Sequence, residues 1–130
     1  TNNGRGRSQV GYMADAVKQL KIKTGSVNRC MKDRTASDKE IEKQQQRIEA
    51  FKADAHKDHH DVAKQEEVLA EMVAGRSDEL NRLKDFMQEL ESIVELTKAD
   101  LGSSDEHSQA QEAIDRATAL LKKEGIALDD

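Results

Sequence analysis

The most constraining feature of this chain is an apolar stripe that recurs in alternating steps of three and four residues. It runs Val62, Leu69, Val73, Leu80, Leu83, Met87, Leu90, Val94, Thr97, Leu101. Such spacing returns to one side of an α-helix and is incompatible with the period of two of a strand. Met72, Phe86 and Ile93 fall on the flanking position and widen the stripe, which suggests contact with two neighbours and not one. Apolar residues make up only 35% of the chain and charged residues 36%, against about 45–50%, on a count that includes glycine, and about 25% in ordinary globular domains. The aromatics are Tyr12, Phe51 and Phe86, and there is no proline. This supply cannot fill a thick core, but it can fill a thin seam, where two or three positions in seven are apolar. The expected fold is all-α: an elongated antiparallel three-helix bundle with coiled-coil-like packing.

Other segments follow the same period. With Val17 at heptad position a, the first seam reads Val17, Leu20, Thr24, Val27, Met31, Arg34, Asp38, Ile41, Gln45, Ile48, and its middle is unusually polar. Gly25 beside Thr24 weakens the helix by ~1 kcal/mol and is expected to let another backbone approach. After Leu101 the string "LGSSDE" breaks the pattern: Gly102 suits a helix end, and Ser103 with Glu106 forms a capping box. A third helix carries Ala110, Ala113, Ile114, Ala117, Leu120 and Leu121, and Lys122, Lys123 and Gly125 end it. The joint near residues 52–61, "KADAHKDHHD", has no Gly or Pro and keeps the heptad phase, so periodicity alone permits a hairpin or one uninterrupted helix. Asp58 and Asp61 could each cap a new helix. Residues 1–12, "TNNGRGRSQVGY", are polar and glycine-rich. They are expected to be a flexible native arm or an expression-tag remnant before a natural start at Met13. The expected helices span about 14–55, 59–101 and 104–124.

Catalytic and metal motifs are weak. Lys23-Thr24-Gly25 matches one of three β-lactamase signatures, but Ser-x-x-Lys and Ser-Asp-Asn are absent. A phosphate loop needs Gly-Lys-Ser/Thr after a buried strand, and here Lys precedes Gly. His56 and His60 stand at i, i+4 beside His59, yet Lys57 occupies the Glu position of a zinc protease and no further ligands are supplied. The reading is not an enzyme, with no cofactor and no metal. A net charge of −5 argues against nucleic acid as a partner. One cysteine, Cys30, fits a reducing compartment. The absence of a long apolar run argues against a membrane span, so a cytoplasmic protein is expected.

Three blocks in order resemble the tubulin-binding cofactor A family. "KIKTG" (residues 21–25) matches the Lys-Ile-Lys-Thr-Gly that opens the family's first helix. "EIEKQQQRIE" (40–49) is similar to its Glu-Lys-Gln-rich segment, and "DVAKQEEVLAE" (61–71) to its Asp-Ile-Lys-Lys-Gln-x-x-Ile-Leu start of helix 2. The similarity covers roughly residues 20–95 and is weak in the third helix. The family commonly carries Ser-Arg-Met-Met-Ile-Pro-Asp in helix 2, where the proline bends it; the aligned residue here is Ser77. The resemblance implies a three-helix bundle with a turn near residues 56–61. It also implies binding of β-tubulin after chaperonin release, on the route to αβ-tubulin, in a cytoplasmic, cytoskeleton-associated setting. Other tubulin-folding cofactors would be further partners, and the protein itself a monomer or weak homodimer. The alternative is a structural coiled-coil dimer or tether without a chaperone role.

Six basic and two acidic residues lie between positions 14 and 34, a local net of +4 on an acidic chain. Complementary charge of this kind raises association rate and sets orientation on an acidic partner such as tubulin. Ile22, opposite the seam, together with Lys21, Lys23, Arg29 and Lys32 forms the first expected contact surface. Gln44, Gln45 and Arg47 form a second.

Overall fold

The computed structural model describes residues 2–128, with side chains described from Gly11 onward. Three helices follow one another: α1 (Asn2–Ala53), α2 (His59–Leu101) and α3 (Asp105–Lys123). No strand occurs among the described residues. α1 starts at Asn2, well before the expected position near 14; no proline stands in residues 2–13 to interrupt its hydrogen bonds.

The chain divides into two packed units, Thr1–Cys30 with Arg82–Asp130, and Met31–Asn81. In the first unit, segments of all three helices share a core of Leu20, Val27, Leu83, Met87, Leu90, Val94, Ala110, Ala113, Ile114, Ala117 and Leu121, each buried. These are the seam residues that the spacing identifies. His107 adds to them at 8% exposure, its Nε2 3.1 Å from the Val94 carbonyl oxygen. The second unit is an antiparallel hairpin of α1 and α2. Its core is thin: Ile41, Ile48 and Leu80 are its buried apolar side chains, and Arg34 and Gln44 are buried beside them.

The buried line on α1 departs from the expected one in this hairpin. Asp38 and Gln45 are exposed, whereas Gln44 is buried and Ser37 half-buried. A straight helix of 3.6 residues per turn drifts by about 20° per heptad against a strict repeat of seven. Over the polar middle, where no apolar side chain anchors the a position, that drift moves the seam from a/d to d/g.

Local signals fix the ends. Between α1 and α2, residues 54–58 make the turn. Asp58 Oδ1 accepts from the Asp61 N–H at 2.9 Å, and Asp61 Oδ2 accepts from the Asp58 N–H at 3.2 Å. This reciprocal cap satisfies donors that a helix start leaves orphaned. The N–H of Asp61, and after it that of His60, hold the Asp58 carboxyl below its ordinary value. At α3 the cap is Ser104, whose Oγ accepts from the His107 N–H at 3.2 Å, so the expected cap at Ser103 lies one residue too early. Gly102 precedes it because a Cβ there would collide with the Lys98 carbonyl oxygen. α3 ends in a Schellman turn: Ile126 N–H donates to the Leu121 carbonyl at 2.9 Å and Gly125 N–H to the Lys122 carbonyl at 3.0 Å. Gly125 has φ 77°, a conformation that favours glycine.

Gly25 does not serve the close approach expected of it. Nothing lies within 4 Å of a Cβ built at Gly25, nor at Gly75 in α2. Gly25→Ala and Gly75→Ala are therefore each expected to stabilise the protein by about 0.5–1 kcal/mol; denaturant titration checks this, and a loss of stability would reveal an unseen contact. Asp58→Ala should lower the melting temperature at pH 7. Because the folded-state pKa is depressed, the cap's contribution is full above about pH 4 and fades as pH falls through the folded value. The melting temperatures of the two proteins should therefore converge as pH falls below the ordinary carboxylate range.

Candidate functional site

The two surfaces expected from sequence fare differently. On α1 of the first unit, Ile22 is 48% exposed, an apolar residue with its side chain in water. Lys23 Nζ donates to Glu89 Oε2 of α2 at 2.7 Å, and Lys21 Nζ lies 3.9 Å from Glu106 Oε1 of α3. Arg29 and Lys32 are exposed and make no ion pair among the described residues. The basic stripe is thus partly used inside the bundle, because acidic positions on α2 and α3 meet it. Lys23-Thr24-Gly25 is simply one turn of α1: Thr24 points into the core, and Lys23 pairs outward with Glu89.

The glutamine surface splits. Gln44 is 3% exposed; its Nε2 donates to the Gln65 backbone carbonyl at 2.8 Å and its Oε1 accepts from Arg47 at 3.0 Å. It is a polar spacer between the hairpin's helices and does not lie on the outer surface. Gln45 and Arg47 are exposed.

Arg34, counted at the sequence level with the basic stripe, is instead 2% exposed. Its guanidinium donates to Glu79 Oε2 at 2.8 Å and to Asp38 Oδ1 at 2.6 Å. Ser37 Oγ donates to Glu79 Oε1 at 2.8 Å, and Arg76 lies 3.2 Å from Asp38 Oδ1. The cluster ties α1 to α2 where apolar seam residues are missing.

Sequence reasoning missed a groove on this hairpin. A cavity of about 700 Å³ opens between the helices, lined by Gln45, Ile48, Lys52, Leu69 and Val73 among others. Val68 and Val73 are 42% and 46% exposed. The signal was present: the α2 stripe is wide enough for two neighbours, yet within this unit α1 is its one neighbour among the described residues. A smaller groove of about 300 Å³ on the same hairpin is lined by Ile41 and Met72 and rimmed by Glu40, Glu71 and Glu79.

No group of three or more His, Cys, Asp and Glu positioned for a metal occurs among the described residues. His56, His59 and His60 are exposed at the turn, where the carboxylates of Asp58 and Asp61 are engaged by backbone N–H groups. No helix of the described residues is long and apolar enough to cross a membrane.

Comparison with known proteins gives this geometry a context. The profile of the family described as Tubulin binding cofactor A matches residues 15–114. The chain belongs to that family. The match runs into α3, beyond the region in which the sequence blocks are readable. Tubulin-specific chaperone A of Mus musculus is 36% identical over 104 residues, covering 79% of this chain and 94% of the relative. The protein of the same name from Dictyostelium discoideum is 32% identical over 102 residues, covering 78% and 90%. The solved structure of human tubulin chaperone cofactor a superposes with a TM-score of 0.64 at 33% identity, covering 79% of this chain and 98% of that one. This family member therefore has three helices with the first two joined by the Asp58-capped turn.

The Arg34 cluster yields a direct test. Arg34→Ala strands Glu79 and Asp38 beside a void. Since those carboxylates are 32% and 45% exposed and can rehydrate, the cost should be about 2–3 kcal/mol, at or below the usual range for breaking a buried pair. Arg34→Met, which refills the space with apolar bulk, should stay within about 1 kcal/mol of the parent. Urea unfolding of both variants checks the pair of outcomes.

Proposed function

We propose that this protein holds β-tubulin after its release from the cytosolic chaperonin, on the route to the αβ-tubulin heterodimer, and does so by stoichiometric binding without turnover. Family membership supports the tubulin-chaperone role, and the uncovered groove of the hairpin supports binding along helix surfaces. A wide apolar stripe with one intramolecular neighbour retains surface for another protein. Ile22, Arg29 and Lys32 supply a second, basic-apolar contact on α1, with Lys21 and Lys23 at its edge. Gln45 borders the groove, and Arg47 is an exposed contact on the same helix. The setting would be the cytoplasm, with other tubulin-folding cofactors as further partners.

A pull-down from cell extract, read with antibodies that separate α- from β-tubulin, tests the proposal. β-Tubulin should co-purify with the chain. Ile22→Glu/Arg29→Glu/Lys32→Glu should weaken capture at least ~10-fold with unchanged helicity, since reversing several contact charges and burying a carboxylate each cost more than the ~1.4 kcal/mol of one decade. These positions avoid the Lys21 and Lys23 pairs, so the fold is spared. Val73→Glu should weaken capture through the groove. Full capture by both variants would remove both surfaces from the assignment, and a chain that captures no β-tubulin would defeat the proposed function.

A further inference from the structure

Each unit is stabilised internally by different physics. Among the described residues the three-helix unit buries thirteen apolar side chains, from Ala16 to Leu121, whereas the hairpin Met31–Asn81 buries Ile41, Ile48 and Leu80. Hydrophobic stabilisation scales with the apolar area removed from water, so the hairpin has a far smaller hydrophobic term for each ordered residue. What replaces it is polar: Gln44 bridging to Gln65, and the Arg34 guanidinium bridging Asp38 to Glu79. Both carboxylates are partly solvated, at 45% and 32% exposure, so water can take over their bonds when the helices part. Opening would also free Arg34 Nε, which has no hydrogen-bond partner in the closed hairpin. α2 further carries Gly75, a weak helix former, within this same unit. Regions with few buried apolar contacts open locally at a fraction of the global unfolding free energy.

We propose that Met31–Asn81 is a latched hairpin that opens as its own cooperative unit while the three-helix unit stays folded, with Arg34 as the latch, and that opening presents Ile41, Ile48, Leu69 and Met72 to the client. The client half of this statement rests on the function proposed above; the opening does not. In the closed hairpin Ile41 and Ile48 stay buried at the floors of the two grooves, and the client's own apolar surface replaces the lost helix contacts when it binds. Such a device makes capture selective for partners that supply apolar area, because only those stabilise the open form.

Hydrogen exchange read by mass spectrometry on the full chain tests the opening. Amides in residues 38–50 and 63–76 should exchange at least ~10-fold faster than those in 83–97 and 110–120, after correction for intrinsic rates. Arg34→Ala should lower hairpin protection at least ~10-fold more than protection in 83–97 and 110–120. Gln44→Leu, which replaces the polar spacer with apolar bulk, should raise hairpin protection. Uniform protection across all four segments, or an Arg34→Ala effect spread equally over them, would overturn the opening. For the client half, Gln44→Cys/Gln65→Cys in a Cys30→Ala background is closed with a short thiol crosslinker. The crosslinked hairpin should capture β-tubulin at least ~10-fold more weakly than the same protein left uncrosslinked. Equal capture would overturn the client half. If the uncrosslinked protein captures none while the exchange pattern is as described, the function reading fails and the opening stands.

Discussion

One buried guanidinium sets the terms for the hairpin. Arg34 needs acceptors, and it takes them from both helices: Asp38 on its own and Glu79 across the seam. Sliding α2 by one turn would move Glu79 about 5 Å away and leave a buried cation with half its partners. Apolar side chains tolerate such slips far better, because one Leu contact resembles another. Arg34 therefore contributes register more than raw stability, a role well attested for single polar residues in helical seams. Gln44 repeats the logic one and a half heptads further on, its amide meeting the backbone and side chain of Gln65.

Where apolar residues are dense, sequence pattern and structure agree closely. Leu80 to Leu101 on α2 and Ala110 to Leu121 on α3 lie in the core at the spacing their order predicts. The polar middle of α1 is different. Counting heptads through Arg34, Asp38 and Gln45 assumes that the seam keeps its phase, but phase is enforced only by side chains that must leave water. Without them the helix relaxes toward its own period, and Gln44 takes the place expected for Gln45. The capping residue of α3 was displaced for a related reason: Ser103 and Ser104 carry the same side chain, so residue type alone does not separate them, and the observed cap is Ser104.

The site was less legible than the fold. The three sequence blocks led to the family, because several short strings in a fixed order at fixed spacing are far more specific than any one of them. They did not distinguish lysines left in water from lysines paired within the bundle. That depends on which acids lie across the seam, and Glu89 and Glu106 are 66 and 85 residues away from their partners Lys23 and Lys21. The groove on the hairpin was foreshadowed by the width of the α2 stripe. Its emptiness could be seen only once the helices were placed.

The turn between α1 and α2 is closed almost wholly by neighbours in the chain: Asp54 with His56, Asp58 with Asp61, Lys57 4.9 Å from the centre of the Phe51 ring. Corners built this way ask little of distant residues, and contacts between near neighbours form fastest. During synthesis the corner can therefore take shape, and α2 begin to fold back along α1, while the residues of α3 are still being joined.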